Sequence, residues 1–326
     1  MTNFQVYKKT LSFSLIGFLV DLLVFIGFFA ICALGFVIAD KAFDKGLIGL
    51  LIGFVVALVF VVLMNIFVSN VLKAGHIAMI TKGVTEDTLP DNVLHEGRKA
   101  VKSRFATITA FFFITRAIKN IFRQIGRVVT KIGTAVGGET GGNIASIINS
   151  GVQVLLGYLC DCCLGWVFYR KDVNAARATC EGAAIFFKHG KTLFKNILRI
   201  FGLGLLSLAI IGGAFFGIGY LISSNMLNSA YNTLANEIAE AVVRNEIQDF
   251  PKELTDPKIL MLIISGVAAL FIWNIIHTVF VRPFILVGVM RNFTASGIKD
   301  MPTEAEFNEI DKKSPRFAKI HAKAIE

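Results

Sequence analysis

The sequence predicts an all-α, polytopic membrane protein with four to six transmembrane helices and further amphipathic helices at the interface. Three observations carry that expectation. Gly46–Leu72 contains no Asp, Glu, Lys or Arg, and a bilayer crossing needs about 20 apolar residues. Leu11–Ala39 is interrupted by one charge, Asp21. Hydrophobic residues make up 55% of the 326-residue chain and charged residues only 17%, against about 25% in soluble domains.

Leu11–Ala39 and Gly46–Leu72 read as a hairpin over 1–72, joined by the polar turn Asp40–Lys45. The first apolar block is too long for a signal-peptide core, and a second follows at once. Gly49 and Gly53 on the second helix have the spacing that lets helix backbones approach closely.

Residues 73–199 form a basic region with two ambiguous apolar segments, 105–125 and 143–168. Either both cross the membrane or both lie on its cytoplasmic side. Arg116, Lys119, Arg123 and Arg127 recur every three or four residues, between Ile118, Ile121, Phe122 and Ile125. That spacing predicts a basic amphipathic helix at the interface or a charged helix end leaving the membrane. Gly133–Asn143 holds five glycines and reads as a joint.

Residues 200–293 supply a second pair of spans, Ile200–Ser223 and Ile259–Val281, around an acidic loop at 225–258. Gly213 and Gly217 predict a helix contact, with an unwound, ion-coordinating segment as the alternative for a span holding six glycines; Pro283 predicts a kink or an end, with Phe284–Phe293 continuing as a short apolar helix. Over 294–326 the chain reads as a soluble tail, where Thr303 and Glu306 have capping-box spacing. The chain has a net charge of +10, and the N-terminal tail, 73–104 and 170–199 are each net basic while 225–258 is net acidic. By the positive-inside rule, both termini are expected in the cytoplasm and the acidic loop outside. That fits a multi-pass protein of the cell membrane with membrane lipids as partners, and no nucleic acid.

The candidate solute or ion pathway is Asp21, Trp273, Asn274 and His277. A carboxylate inside a span is costly and is used to bind cations, relay protons or pair with a base. Trp273, Asn274 and His277 bring an aromatic face, an amide and a titratable ring to about one face of the last span; a bland polar contact for His277, and snorkelling for Asp21, are the alternatives. Cys160, Asp161, Cys162 and Cys163, with Cys180, His189 and His76, offer a CxxC but no second one, so small packing thiols are expected rather than a metal site. The sequence lacks GxSxG, HExxH and P-loop patterns, so neither catalysis nor a cofactor is expected.

Several patches from Arg104 onward resemble the choline transporter-like family. They are Phe105–Ile108 through Phe113–Arg116; Cys160–Cys163 with Trp166 and Asn174-Ala175-Ala176; Phe186-Phe187 through Lys191, Phe194, Asn196 and Arg199; and His277–Phe280. The region in which they lie, from Arg104 onward, is about two thirds of the chain, and no patch is long. The resemblance implies transport of a choline-like organic cation by a reduced member that gains from homo-oligomerisation. Ala176 stands where the family has Tyr, His277 stands where it has Asp, and the family's large N-terminal half has no counterpart. The alternative reading is a non-transporting oligomeric scaffold or lipid-interacting protein, favoured by the basic face.

Overall fold

A computed structural model describes residues 1–43, 45–105, 113–121, 157–244, 251 and 255–325. Every regular element among them is helical. In chain order these are α1 (Asn3–Phe43), α2 (Gly46–Met64), α3 (Asn70–Thr85), α4 (Val93–Arg104), α5 (113–121), α6 (157–169) and α7 (Ala175–Ser207). They continue with α8 (Gly213–Met226), α9 (Asn228–Arg244), α10 (Pro257–Ile276), α11 (Arg282–Lys299), α12 (Glu304–Lys313) and α13 (Pro315–Ile325). Three π-helical turns, Asn65–Ser69, Leu208–Gly212 and His277–Val281, join α2 to α3, α7 to α8 and α10 to α11. Among the described residues, four helices are long and apolar enough to cross a membrane: Asn3–Phe43, Gly46–Thr85, Gly202–Met226 and Pro257–Lys299.

The chain divides into two units, Met1–Leu198 with Pro283–Glu326, and Arg199–Arg282. The first unit has two kinds of surface. From Leu15 to Phe67, the α1–α2 hairpin leaves its large apolar side chains exposed; Leu47 is 74% exposed and Leu51 67%. The rest is a body with an ordinary buried core. The first turns of α1 bury Val6 and Phe13, and α3 is buried almost continuously from Ala74 to Gly83. Trp166, Phe293, Phe307 and Phe317 are fully buried there. The hairpin is closed by glycine. A Cβ on Gly35 would stand 2.5 Å from the Gly49 carbonyl oxygen, and one on Gly49 would overlap the Gly35 oxygen. The Gly49/Gly53 spacing is therefore a packing face.

The described part of the 105–125 segment, α5, is amphipathic, but protein covers its apolar face. Ala117 and Ile121 pack with Cys180, Ala183, Phe307 and Phe317, while Arg116 and Lys119 are exposed. Arg123, Arg127 and the Gly133–Asn143 joint lie outside the described residues. From the 143–168 segment, the described helix α6 buries Tyr158, Leu159, Leu164, Trp166 and Val167 in the body. Arg104 holds its C-terminal end, donating from Nε to the Val167 carbonyl and from Nη2 to those of Arg170 and Val173, each at 2.9 Å. The bond to Val167 satisfies a carbonyl that the helix end leaves open, and the other two tie down the connection to α7.

Two expectations are resolved here. First, of the kink or end expected at Pro283, the end does not occur, and the helix runs on to Lys299. The π turn His277–Val281 immediately precedes the proline and relieves the register where its ring would meet the Val279 carbonyl. The continuation α11 is core of the body, burying Ile285, Val287, Met290 and Phe293. Second, a Cβ on Gly213 or Gly217 would meet nothing within 4 Å, so among the described residues these glycines make no close helix contact. In the second unit, α8, α9 and α10 pack together around Tyr231, Ala235, Leu260 and Met261.

Sequence caps appear as expected at α12. Thr303 Oγ1 accepts from the Glu306 amide, and the Glu306 carboxylate accepts from the Thr303 amide at 2.7 Å. Asp256 caps α10, with Pro257 opening the helix.

Candidate functional site

Polar side chains gather in three places on the apolar helices. In the first unit, Ser69, the last residue of its π turn, donates to Asp21 Oδ1 at 3.4 Å. Asp21 is exposed on α1. In the second unit, Trp273 donates from Nε1 to Ser207 Oγ at 3.2 Å, and Ser207 Oγ donates to the Gly204 carbonyl at 2.7 Å. The His277 ring lies 5.1 Å from the Trp273 ring, tilted by 36°. Ser207 and His277 thus border the π turns Leu208–Gly212 and His277–Val281. Trp273 and His277 are half-buried and Asn274 is exposed. Also in this unit, buried Ser223 Oγ lies 3.3 Å from both Tyr231 Oη and Ser265 Oγ. No sequence signal marks that trio, because lone serines in a span carry none.

Among the described residues of the body, two ion clusters are built on a buried carboxylate. Asp161 is 4% exposed, and Lys73 Nζ stands 2.7 Å from its Oδ1. A pocket of about 40 Å³ opens beside this pair, lined on its polar side by Asn70, Lys73, Thr115, Lys119, Cys160 and Asp161. Asp21, Trp273, Asn274 and His277 are not among its lining residues. Deeper in the body, Glu181 is 3% exposed. Its carboxylate accepts from Trp166 Nε1 at 3.0 Å and Arg170 Nη1 at 2.8 Å, with Arg177 Nε at 3.5 Å. Arg170 also grips Asp172, whose carboxyl it holds below the usual range. Arg177 pairs with Glu304 and covers the Phe307 ring at 4.4 Å. The one sequence signal for this cluster is the Arg177/Glu181 spacing of four.

The cysteines are all free thiols. Cys163 Sγ donates to the Thr179 carbonyl at 3.6 Å, and burial pushes the Cys180 thiol up to about 12. His76 stacks on Phe13, and His189 lies 3.7 Å from Asp300. Among the described residues, no three His, Cys, Asp or Glu side chains converge to hold a metal ion. The thiolate is the reactive form, so reactivity should follow exposure. A water-soluble maleimide at neutral pH is expected to modify half-buried Cys160 well before Cys162, Cys163 or Cys180, as read by peptide mass spectrometry of the native protein. Equal labelling of Cys180 and Cys160 would contradict the burial described.

No family model, curated protein or solved structure matches the chain.

Proposed function

We propose that the chain is a multi-pass protein of the cell membrane that moves a small solute, with both termini cytoplasmic and the acidic 225–258 loop outside. The observation that carries this reading is the coincidence of the Ser207–Trp273–His277 cluster with two π-helical turns. Single π turns inside long helices are frequent at functional sites. Here two such turns stand beside an indole face and an imidazole. An aromatic face of this kind attracts an organic cation, the solute class that the resemblance to the choline transporter-like family also implies. Asp21 with Ser69, at the third π turn, is the corresponding polar group of the first unit. Self-association would give Gly213 and Gly217 the partner face they lack among the described residues.

Radiolabelled choline uptake into proteoliposomes tests this reading. Wild-type protein should carry saturable flux, and Trp273→Ala should reduce it about thirtyfold, the scale of a lost cation–π contact in a desolvated site (about 2 kcal/mol). Absence of flux of choline and of small inorganic cations under every imposed gradient would remove the proposal.

A second reading, a lipid-interacting protein, is favoured by a different observation. Exposed Arg116 and Lys119 on α5 stand with Lys73 on α3 where the exposed apolar surface of the hairpin gives way to the buried body. Basic side chains at that depth attract anionic lipid by about 1 kcal/mol each.

A further inference from the structure

The pocket beside the Lys73–Asp161 pair has a composition and a depth that the transport reading does not use. About 40 Å of helix separates Gly46, at the hairpin tip, from Lys73. The hydrocarbon core accounts for about 30 Å and the headgroup layers for the remainder. With the tip at the outer interface, Lys73 and the pocket lie at the level of the inner headgroups. The side chains near the pocket agree. Phe67 lies on the π turn just before Asn70 and Lys73, and Phe113 lies on α5 just before Thr115 and Lys119; they are 52% and 40% exposed. Each helix thus changes from exposed aromatic to polar pocket wall within about two turns.

The charges of the lining do not cancel. Asp161 is engaged by Lys73 at 2.7 Å, and among the described residues Lys119 makes no ion pair. Among the described lining residues one positive charge is left over, with the Asn70 amide and the Thr115 hydroxyl on the same wall. We propose that this pocket binds a singly charged phosphodiester, and that its source is the headgroup of a membrane phospholipid. A phosphodiester carries one negative charge, matching the excess. Its oxygens accept from an ammonium, an amide N–H and a hydroxyl, the donors present. The pocket has room for about three waters, and a phosphate group displaces a similar volume. The lipid's acyl chains would lie along the exposed apolar hairpin, which a free phosphodiester in solution could not exploit. This site rests on the second, lipid-interacting reading and is independent of solute flux.

The test is native mass spectrometry of the full-length protein in detergent, titrated with dioleoylphosphatidylglycerol. Wild type should retain one lipid beyond the nonspecific series. Lys119→Gln, at an exposed position, should weaken that retention about tenfold. Asp161→Asn removes the carboxylate that competes for Lys73 and should strengthen it several-fold. Dioleoylglycerol, which lacks the phosphate, should not be retained. Glycerophosphoglycerol, the water-soluble headgroup, should bind far more weakly than the lipid. Unchanged retention in Lys119→Gln, or equal retention of dioleoylglycerol, overturns the pocket. Equal affinity for glycerophosphoglycerol overturns the membrane source. A general preference for anionic over zwitterionic lipid that survives in Lys119→Gln also sinks the pocket, yet leaves the lipid-interacting reading standing.

Discussion

Glu181→Ala is expected to destabilise the body of the first unit by about 3 kcal/mol, toward the lower end of what breaking a buried ion pair costs. Glu181 is 3% exposed, and its carboxylate is the acceptor on which Trp166 Nε1, Arg170 and Arg177 converge. Its removal leaves a fully buried indole N–H without that acceptor, a penalty of about 1–3 kcal/mol. The guanidinium groups are less exposed to loss. Arg170 retains Asp172 and Arg177 retains Glu304, so neither becomes an isolated buried charge. That is why the lower end applies. For a unit of this size the loss corresponds to a fall of roughly 10 °C in the thermal midpoint.

The order within a small series is the sharper test. Glu181→Gln keeps an oxygen for Trp166 and the side-chain volume, but removes the charge shared with two arginines; its effect should be intermediate. Trp166→Phe deletes the single indole hydrogen bond and leaves the carboxylate with both guanidinium groups. The indole is also fully buried, so packing loss from its smaller ring adds to this. Thermal unfolding in mild detergent, followed by tryptophan-independent circular dichroism, should rank Glu181→Ala below Glu181→Gln. An unchanged midpoint in Glu181→Ala would mean that the network contributes nothing to stability.

What could be read from the sequence, and what could not, divides along physical lines. Gly46–Leu72 declares itself because no charge interrupts it, and the Thr303/Glu306 cap declares itself because both partners lie within one turn. The segment 143–168 is ambiguous for the opposite reason, and nothing in the sequence marks 284–293 as core of a protein body rather than part of the last membrane pair. A helix buried in protein and one buried in lipid are both apolar all round, and periodicity cannot separate them. What separates them in the structure is their neighbours: Arg104, 63 residues from Val167, holding the end of α6, and Asn3, 288 residues from Arg291, accepting a hydrogen bond from α11 at 2.7 Å. The partners of Asp161 and Glu181 were hidden in the same way. The sequence shows a carboxylate among cysteines; it does not show that Lys73 reaches it from α3. Among the candidate pathway residues, Trp273 and His277 do stand together, through an α-helical spacing of four, and Ser207 joins them from α7. Of the π turns that border this cluster, His277–Val281 is flagged in the sequence only by the proline that follows it, and Leu208–Gly212 by nothing.

Enlarging Gly49 should open the α1–α2 hairpin. A methyl group there would overlap both the Gly35 carbonyl oxygen and the Ala39 Cβ, and Gly35 faces the Gly49 carbonyl just as closely. The obstacle is backbone on the opposite helix, which cannot rotate aside as a flexible side chain can. Overpacking against movable neighbours costs about 1–3 kcal/mol, so Gly49→Leu should reach the top of that range or exceed it. Gly49→Ala should fall below it in size but keep the sign. In hydrocarbon no hydrophobic force restores the pair, because lipid tails cover apolar side chains as well as another helix does; close packing is the main attraction left. Separation of the helices should therefore be disproportionate to the volume added. Cys32, buried against Gly53, reports the separation. Its alkylation by a small maleimide in detergent should accelerate in Gly49→Leu, together with a lower thermal midpoint. Gly213→Leu is the matched control, because a Cβ there would meet nothing within 4 Å. It should leave Cys32 labelling at the wild-type rate, whatever it does to self-association. Equal Cys32 labelling in wild type and Gly49→Leu would show that the hairpin tolerates separation at its closest point, and the glycine contact would lose its structural role.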